Sequence, residues 1–235
     1  MEETRDRSEN RLTMKFLLII SSLVSVSTLS ANVIFSIEAA TVQQTTIPGA
    51  RTEDFNSLIP GQLGTYYSSI GLYSTGAAIV APDLFGGANS TNYISVGQES
   101  GALSYSLTFY SPQAFFGLDW TGGDGSNKLQ FYNGSTLVGT FTTFDIQAAL
   151  PPNFVDYIPY FGNPNDGSDP LEPFFYVNFF SNDPSTNFTS VVFSNFDTTT
   201  GFESDNQSIV PEPSALGLLG AGLGAISLIR RRQRN

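Results

Sequence analysis

Oxygen chemistry is nearly all this chain can offer, because its 235 residues include no histidine and no cysteine. Those absences exclude Ser-His-Asp and Cys-His nucleophiles within the chain and remove the usual zinc and copper ligands. Carboxylate acid–base work and oxygen-ligand metals such as calcium remain. Residues 41–212 carry only Arg51 and Lys128 against sixteen acids, a net charge of −14. Such a body repels phosphate backbones, so nucleic acid is not an expected partner. The same charge suits divalent cations, cationic partners or plain solubility.

Three constellations have spacing that can do something. Glu203-x-Asp205 near the end of the body places two carboxylates on one face of a strand. Glu53-Asp54 lies near its start, and if first and last strands are neighbours the four acids can clamp one calcium ion. The competing reading is a charged strand edge that discourages sheet-to-sheet aggregation. Asn163-Pro164-Asn165-Asp166-Gly167-Ser168-Asp169 offers side-chain oxygens around a glycine, with Asp166 and Asp169 as calcium ligands. It departs from the EF-hand pattern, since Glu172 falls too early for the twelfth position, and a solvated Asn/Asp/Gly turn is the simpler alternative. The third set is aromatic. Trp120, Tyr132 and Tyr160 can present flat rings with polar tips to sugars, and Trp120, just before Gly122-Gly123-Asp124-Gly125, is expected as an exposed platform. The same rings can equally line a core.

Short strands must position these groups. Leu103, Tyr105, Leu107 and Phe109 alternate with Ser104, Ser106 and Thr108, the period of a half-buried strand. Phe115 to Trp120 has β composition and ends in a turn cluster. Asn133-Gly134 between Leu129–Tyr132 and Leu137–Thr142 is a hairpin signal. Further strands are expected over 174–180, 190–194 and 201–209, with a short helix over 143–150. The four prolines between Phe154 and Pro173 predict a long irregular stretch, where function is often found. The fold class expected is all-β, an antiparallel β-sandwich of jelly-roll type, with an up-and-down barrel as competitor.

Both ends read as addresses. Met14-Lys15, the apolar stretch Phe16 to Ile37, and Ala39-Ala40 have the order of a secretory signal peptide. This places a signal peptide over 1–39, starting at Met1 or Met14, and an exported domain over 40–210. At the other end Pro211-Glu212-Pro213 precedes an apolar helix over 214–229, then Arg230, Arg231, Arg232 and Arg234. Sixteen residues make a minimal or transient span, and the arginines form a cytoplasmic stop by the positive-inside bias.

This tail, residues 211–235, resembles the PEP-CTERM sorting signal of bacterial surface proteins in its three parts and their order. The resemblance implies that Pro211, Glu212 and Pro213 are recognised by an exosortase, a membrane-embedded transpeptidase. Signal peptidase and the Sec machinery are the further partners of export, and the membrane is at least a transient one. The order "FFGLDWTGGDGSNKLQFYNGSTLVGTFT", "YFGNPN", "EPFFYVNFF", "VVFSN", "GFESDN" is also similar to sandwich ectodomains of PEP-CTERM surface proteins. The function expected is that of a non-catalytic cell-surface or matrix protein making weak contacts with exopolysaccharide. The alternative is a glycan-cleaving enzyme using two carboxyls, for which the body lacks the Glu-x-Asp-x-Glu motif of jelly-roll glycosidases.

Overall fold

The computed structural model describes residues 33–84 and 90–211. Alternating apolar and polar residues build two antiparallel sheets. The larger has the order β1 (Val33–Ile37), β12 (Phe175–Ser181), β9 (Phe115–Thr121), β14 (Gly201–Ile209), β7 (Tyr93–Gly97), β6 (Ala77–Val80) and β3 (Gly61–Leu63), with β2 (Arg51–Glu53) also pairing with β14. The smaller runs β11 (Thr136–Thr142), β10 (Asn127–Asn133), β13 (Phe188–Asn195), β8 (Ser104–Gln113), β5 (Gly71–Tyr73), β4 (Tyr66–Tyr67). From β7 onward the chain changes sheet at every step except the β10–β11 hairpin, which turns at Asn133-Gly134 as its sequence predicts.

The two sheets face each other across an aromatic core. In β8 the buried Tyr105, Leu107 and Phe109 point inward, as the alternation requires, and Tyr105 stacks on Phe193 of the same sheet at 4.5 Å. Phe116 meets Phe131 at 6.1 Å and Phe193 meets Phe202 at 5.5 Å, joining one sheet to the other. Each such side chain, fully buried, is worth about 1.5–3 kcal/mol relative to exposure, which lets a chain with no disulfide hold its shape.

The outer side of the larger sheet carries a second layer. Asn206 Nδ2 donates to the Gln43 carbonyl at 2.8 Å, Thr45 Oγ1 to Asn178 Oδ1 at 2.8 Å, and Asn178 Nδ2 to Glu38 Oε1 at 2.8 Å. Tyr160 donates to the Glu38 carbonyl at 2.9 Å and Tyr93 to the Leu84 carbonyl. This cover explains why every residue of β9 and of β14 is buried, although six of the nine residues of β14 are polar.

The helix expected over 143–150 is α1, Thr143–Gln147, started by a capping box between Thr142 and Asp145. The irregular stretch contains α2 (Phe154–Tyr157) and a 3-10 turn at Ile158–Tyr160. The expected domain boundary at residue 39 meets a different arrangement: Val33–Ile37, assigned to the signal peptide, is an edge strand of the larger sheet. Residues 1–32 and the apolar helix expected over 214–229 lie outside the described residues. Among the described residues no helix is long and apolar enough to cross a membrane.

Candidate functional site

β14 organises the polar side of the larger sheet. Phe202 and Ile209 belong to the core, as do Phe116, Leu118 and Trp120 of β9. Alternation therefore sends Glu203, Asp205 and Ser208 to the opposite face, together with Gly117, Asp119 and Thr121. The register places Asp119 beside Asp205 and Thr121 beside Glu203. A bulge between Asp205 and Ser208 is taken up by Asn206 in the left-handed region, at φ 46°. Asparagine tolerates that conformation better than most residues.

These acids are buried and crowded. Asp119 is 2% and Asp205 0% exposed. Burial, and then the charge of Asp205, pushes the Asp119 carboxyl well above the usual range. Asp205 accepts from Thr91 Oγ1 at 3.0 Å and from the Asn206 amide at 2.7 Å. Asp119 Oδ2 and Thr121 Oγ1 are buried and have no hydrogen-bond partner among the described residues. The arrangement is that of an Asp119 carboxyl whose burial disfavours its charged form, beside an Asp205 held by two hydrogen bonds.

Glu203 is the second centre. Burial, then Glu99, Asp124 and Glu172, raises it well above its ordinary value. Ser95 Oγ donates to Glu99 Oε2 at 2.7 Å, fixing one rim of the group. Burial followed by Asp169 and Asp124 pushes Glu172 up to about 7. The whole arrangement depends on Gly201: a Cβ there would lie 1.8 Å from Glu203 Oε1 and 2.9 Å from Glu99 Oε2.

The expected calcium clamp is not assembled. An early strand, β2, does pair with the last, with Glu53 opposite Gln207. However, Gln207 points into the core to accept from Tyr73 at 2.9 Å, so Glu53 shares its side of the sheet while Glu203 and Asp205 occupy the other. Glu53 accepts instead from the Phe55 amide and from Tyr66 OH, both at 3.2 Å. Asp54 lies on the rim of a cavity of about 370 Å³, which Thr91 and Asn206 also line. Asp166 accepts from the Ser168 amide at 2.9 Å, the Asn163 amide donates to the Ser168 carbonyl at 2.7 Å, and Asn165 Nδ2 donates to Asp83 Oδ1 at 2.9 Å, so protein groups already engage this loop. Asp169 sits in it with φ 50°. Among the described residues no group of three or more acids has the placement of a metal site.

The aromatic candidates separate. Trp120 is not an exposed platform: it is 0% exposed, stacked on Phe202 at 4.5 Å, with its indole N–H donating to Asn127 Oδ1 at 3.2 Å. Its position in an inward register outweighs the turn that follows it. Tyr160 is nearly buried, with its hydroxyl held by Glu38. Tyr132 lies on the outer face of the smaller sheet, opposite in register to Ser190 and Leu137. That face is open, with Ser104, Thr108, Tyr110 and Leu137 exposed. No aspartate or glutamate occurs in any of its six strands. Asp119, the acid that sequence reasoning missed, had one signal: a carboxylate within the otherwise apolar Phe115-Phe116-Gly117-Leu118-Asp119-Trp120.

β14 ends at Ile209, 4% exposed, and Pro211 is already exposed. Glu212, Pro213, Arg230, Arg231, Arg232 and Arg234 lie outside the described residues. A family model, the PEP-CTERM protein-sorting motif, matches residues 210–233. No curated protein and no solved structure matches the chain. The motif implies export and a membrane-anchored precursor that an exosortase, a membrane enzyme, processes for surface display. The chain thus carries a PEP-CTERM protein-sorting motif directly after the last of its described strands, and that motif supports an exosortase-targeted surface protein.

Proposed function

We propose that this chain is a non-catalytic cell-surface or matrix protein whose open six-stranded face makes weak contacts with exopolysaccharide. The observation that carries this reading is the separation of chemistry from access. The crowded carboxyls lie under a covering layer, whereas the accessible sheet face offers hydroxyls, amides and the rings of Tyr110 and Tyr132. Rings with polar tips beside hydroxyl-rich strands suit sugar surfaces, and a face without carboxylates does not repel an acidic polysaccharide. The body is a jelly roll in this reading, supported by the orders β12-β9-β14-β7 and β11-β10-β13-β8, each built from four of the last eight strands. Signal peptidase and the Sec machinery deliver it.

One observation favours a glycan-cleaving enzyme instead. Asp119 and Asp205 are buried cross-strand neighbours, with Asp119 held well above the usual carboxylate range, and Thr91, which donates to Asp205, lines the 370 Å³ cavity. Two carboxyls roughly 5 Å apart are the spacing of a retaining glycosidase. Their burial leaves no room for a polysaccharide chain, so the binding role is preferred. A glycan array run beside a reducing-sugar assay tests it: retention without new reducing ends is expected. Release of new ends would transfer the assignment to the enzyme.

A further inference from the structure

We propose that export cleaves this chain on the amino-terminal side of Val33, at one of the two peptide bonds of Ala31, and that β1 stays in the mature body. The cut is a hydrolysis: water adds across one amide, leaving a carboxylate on the leader and a new α-amine on Ala31 or Asn32.

β1 is built into the sheet along its whole length. Val33 pairs with Ser181 and the register continues without a break to Ile37 opposite Val177. Val33 is 2% exposed and packs where Gly139 has no side chain, since a Cβ at Gly139 would lie 2.8 Å from Val33 Cγ2. Phe35 stands edge-on to Phe141 at 5.4 Å and lies 6.1 Å from Phe179. The next residue ties down the cover. The Glu38 amide donates to the Tyr176 carbonyl at 3.0 Å, its carbonyl accepts from Tyr160, and its carboxylate accepts from the Thr46 amide at 2.9 Å and from Asn178 at 2.8 Å.

Cleavage after Ala39 or Ala40 would remove all of these contacts together. It would also leave β12, with Phe175, Val177, Phe179 and Phe180, as a bare strand edge, which is a template for aggregation. A cut at Ala31 removes neither strand nor tie. It also fits the leader better. Phe16 to Leu29 is an apolar core of about 14 residues, within the 7–15 of a signal peptide, whereas Phe16 to Ile37 exceeds that length and includes Asn32. Thr28 and Ser30 give small residues at the third and first positions before the bond to Ala31, and Ala31 itself precedes the bond to Asn32.

The test is amino-terminal sequencing, with intact mass, of the protein recovered from the surface of an exporting host. A terminus at Ala31 or Asn32 is expected. A terminus at Ala40 or Thr41, or retention of Met1 or Met14, would overturn the proposal. Amide exchange on the same material gives a second readout: the β1 amides that bond to β12 should be as protected as those of β9. Exchange at the rate of an unfolded chain would count against retention of the strand.

Discussion

The two sheets of this sandwich treat charge in opposite ways. The larger sheet holds Glu53, Asp119, Glu203 and Asp205 in its strands, whereas the smaller holds no carboxylate and one cation, Lys128. The charged sheet is the buried one. Its outer face is roofed by the segment after β1 and by the chain around Leu84 and Thr91, which supply hydroxyls, amides and carbonyls as partners. The carboxylate-free sheet has no roof among the described residues and meets solvent with serine, threonine and tyrosine. Polarity of a strand therefore does not report its access; the layer above it does.

The largest effect should come from Trp120→Ala, which removes the biggest ring of the buried sheet. A loss of about 3–5 kcal/mol is expected in urea unfolding, and a loss below about 1 kcal/mol would mean that the ring is not packed between Phe202 and Phe175. Gly201→Ala comes next, costing about 1–3 kcal/mol by overpacking as Glu203 is displaced. An unchanged midpoint would show that Glu203 is not seated against Gly201.

Proton binding sharpens the contrast further. Asp119, Glu203 and Glu172 keep their protons to higher pH in the folded chain than in the unfolded one. The native state therefore binds more protons, and stability falls as pH rises. For Glu172 the window runs from its ordinary 4.5 to about 7. Melting temperatures should be higher at pH 5 than at pH 8, and Asp119→Asn should shrink that difference; an equal slope in the variant would remove Asp119 from the explanation. On the open sheet, Tyr132→Ala should weaken retention on exopolysaccharide while shifting the melting temperature little. Weak folding with intact retention would reverse the roles assigned to the two faces. The smallest effect belongs to Asp166→Ala, whose melting curve should match the parent with calcium or with chelator. A calcium-dependent difference would restore the loop as a metal site.

Much of this architecture is legible in local pattern. The alternation from Tyr105 to Phe109, the Asn133-Gly134 turn and the short helix after Thr142 each depend on neighbours a few residues away, and each appears where expected, whereas Leu103, expected inward, lies before β8 and is exposed. The pairing of an early strand with the last is also there, but its register is not legible: the bulge at Asn206 sets which side Gln207 takes, and so separates Glu53 from Glu203. Trp120 misleads because a glycine-rich turn marks the end of a strand and says nothing of which face precedes it. Val33–Ile37 is ambiguous in sequence because an edge strand and the tail of a signal peptide share the same apolar composition. The burial of Asp119 is set by a roof drawn from distant parts of the chain, the segment after β1 and the residues around Leu84 and Thr91, and no local pattern carries it.

The absence of slack between Ile209 and the apolar run that begins at Ser214 has a mechanical consequence. Four residues separate them, and an extended chain advances at most about 3.3–3.6 Å per residue. If the run from Ser214 holds the precursor in a bilayer, that leash is roughly 15 Å long, shorter than a sandwich domain is wide. The body could then not swing freely above the membrane, and an enzyme reading Pro211-Glu212-Pro213 would have to work in the narrow gap beneath a folded protein.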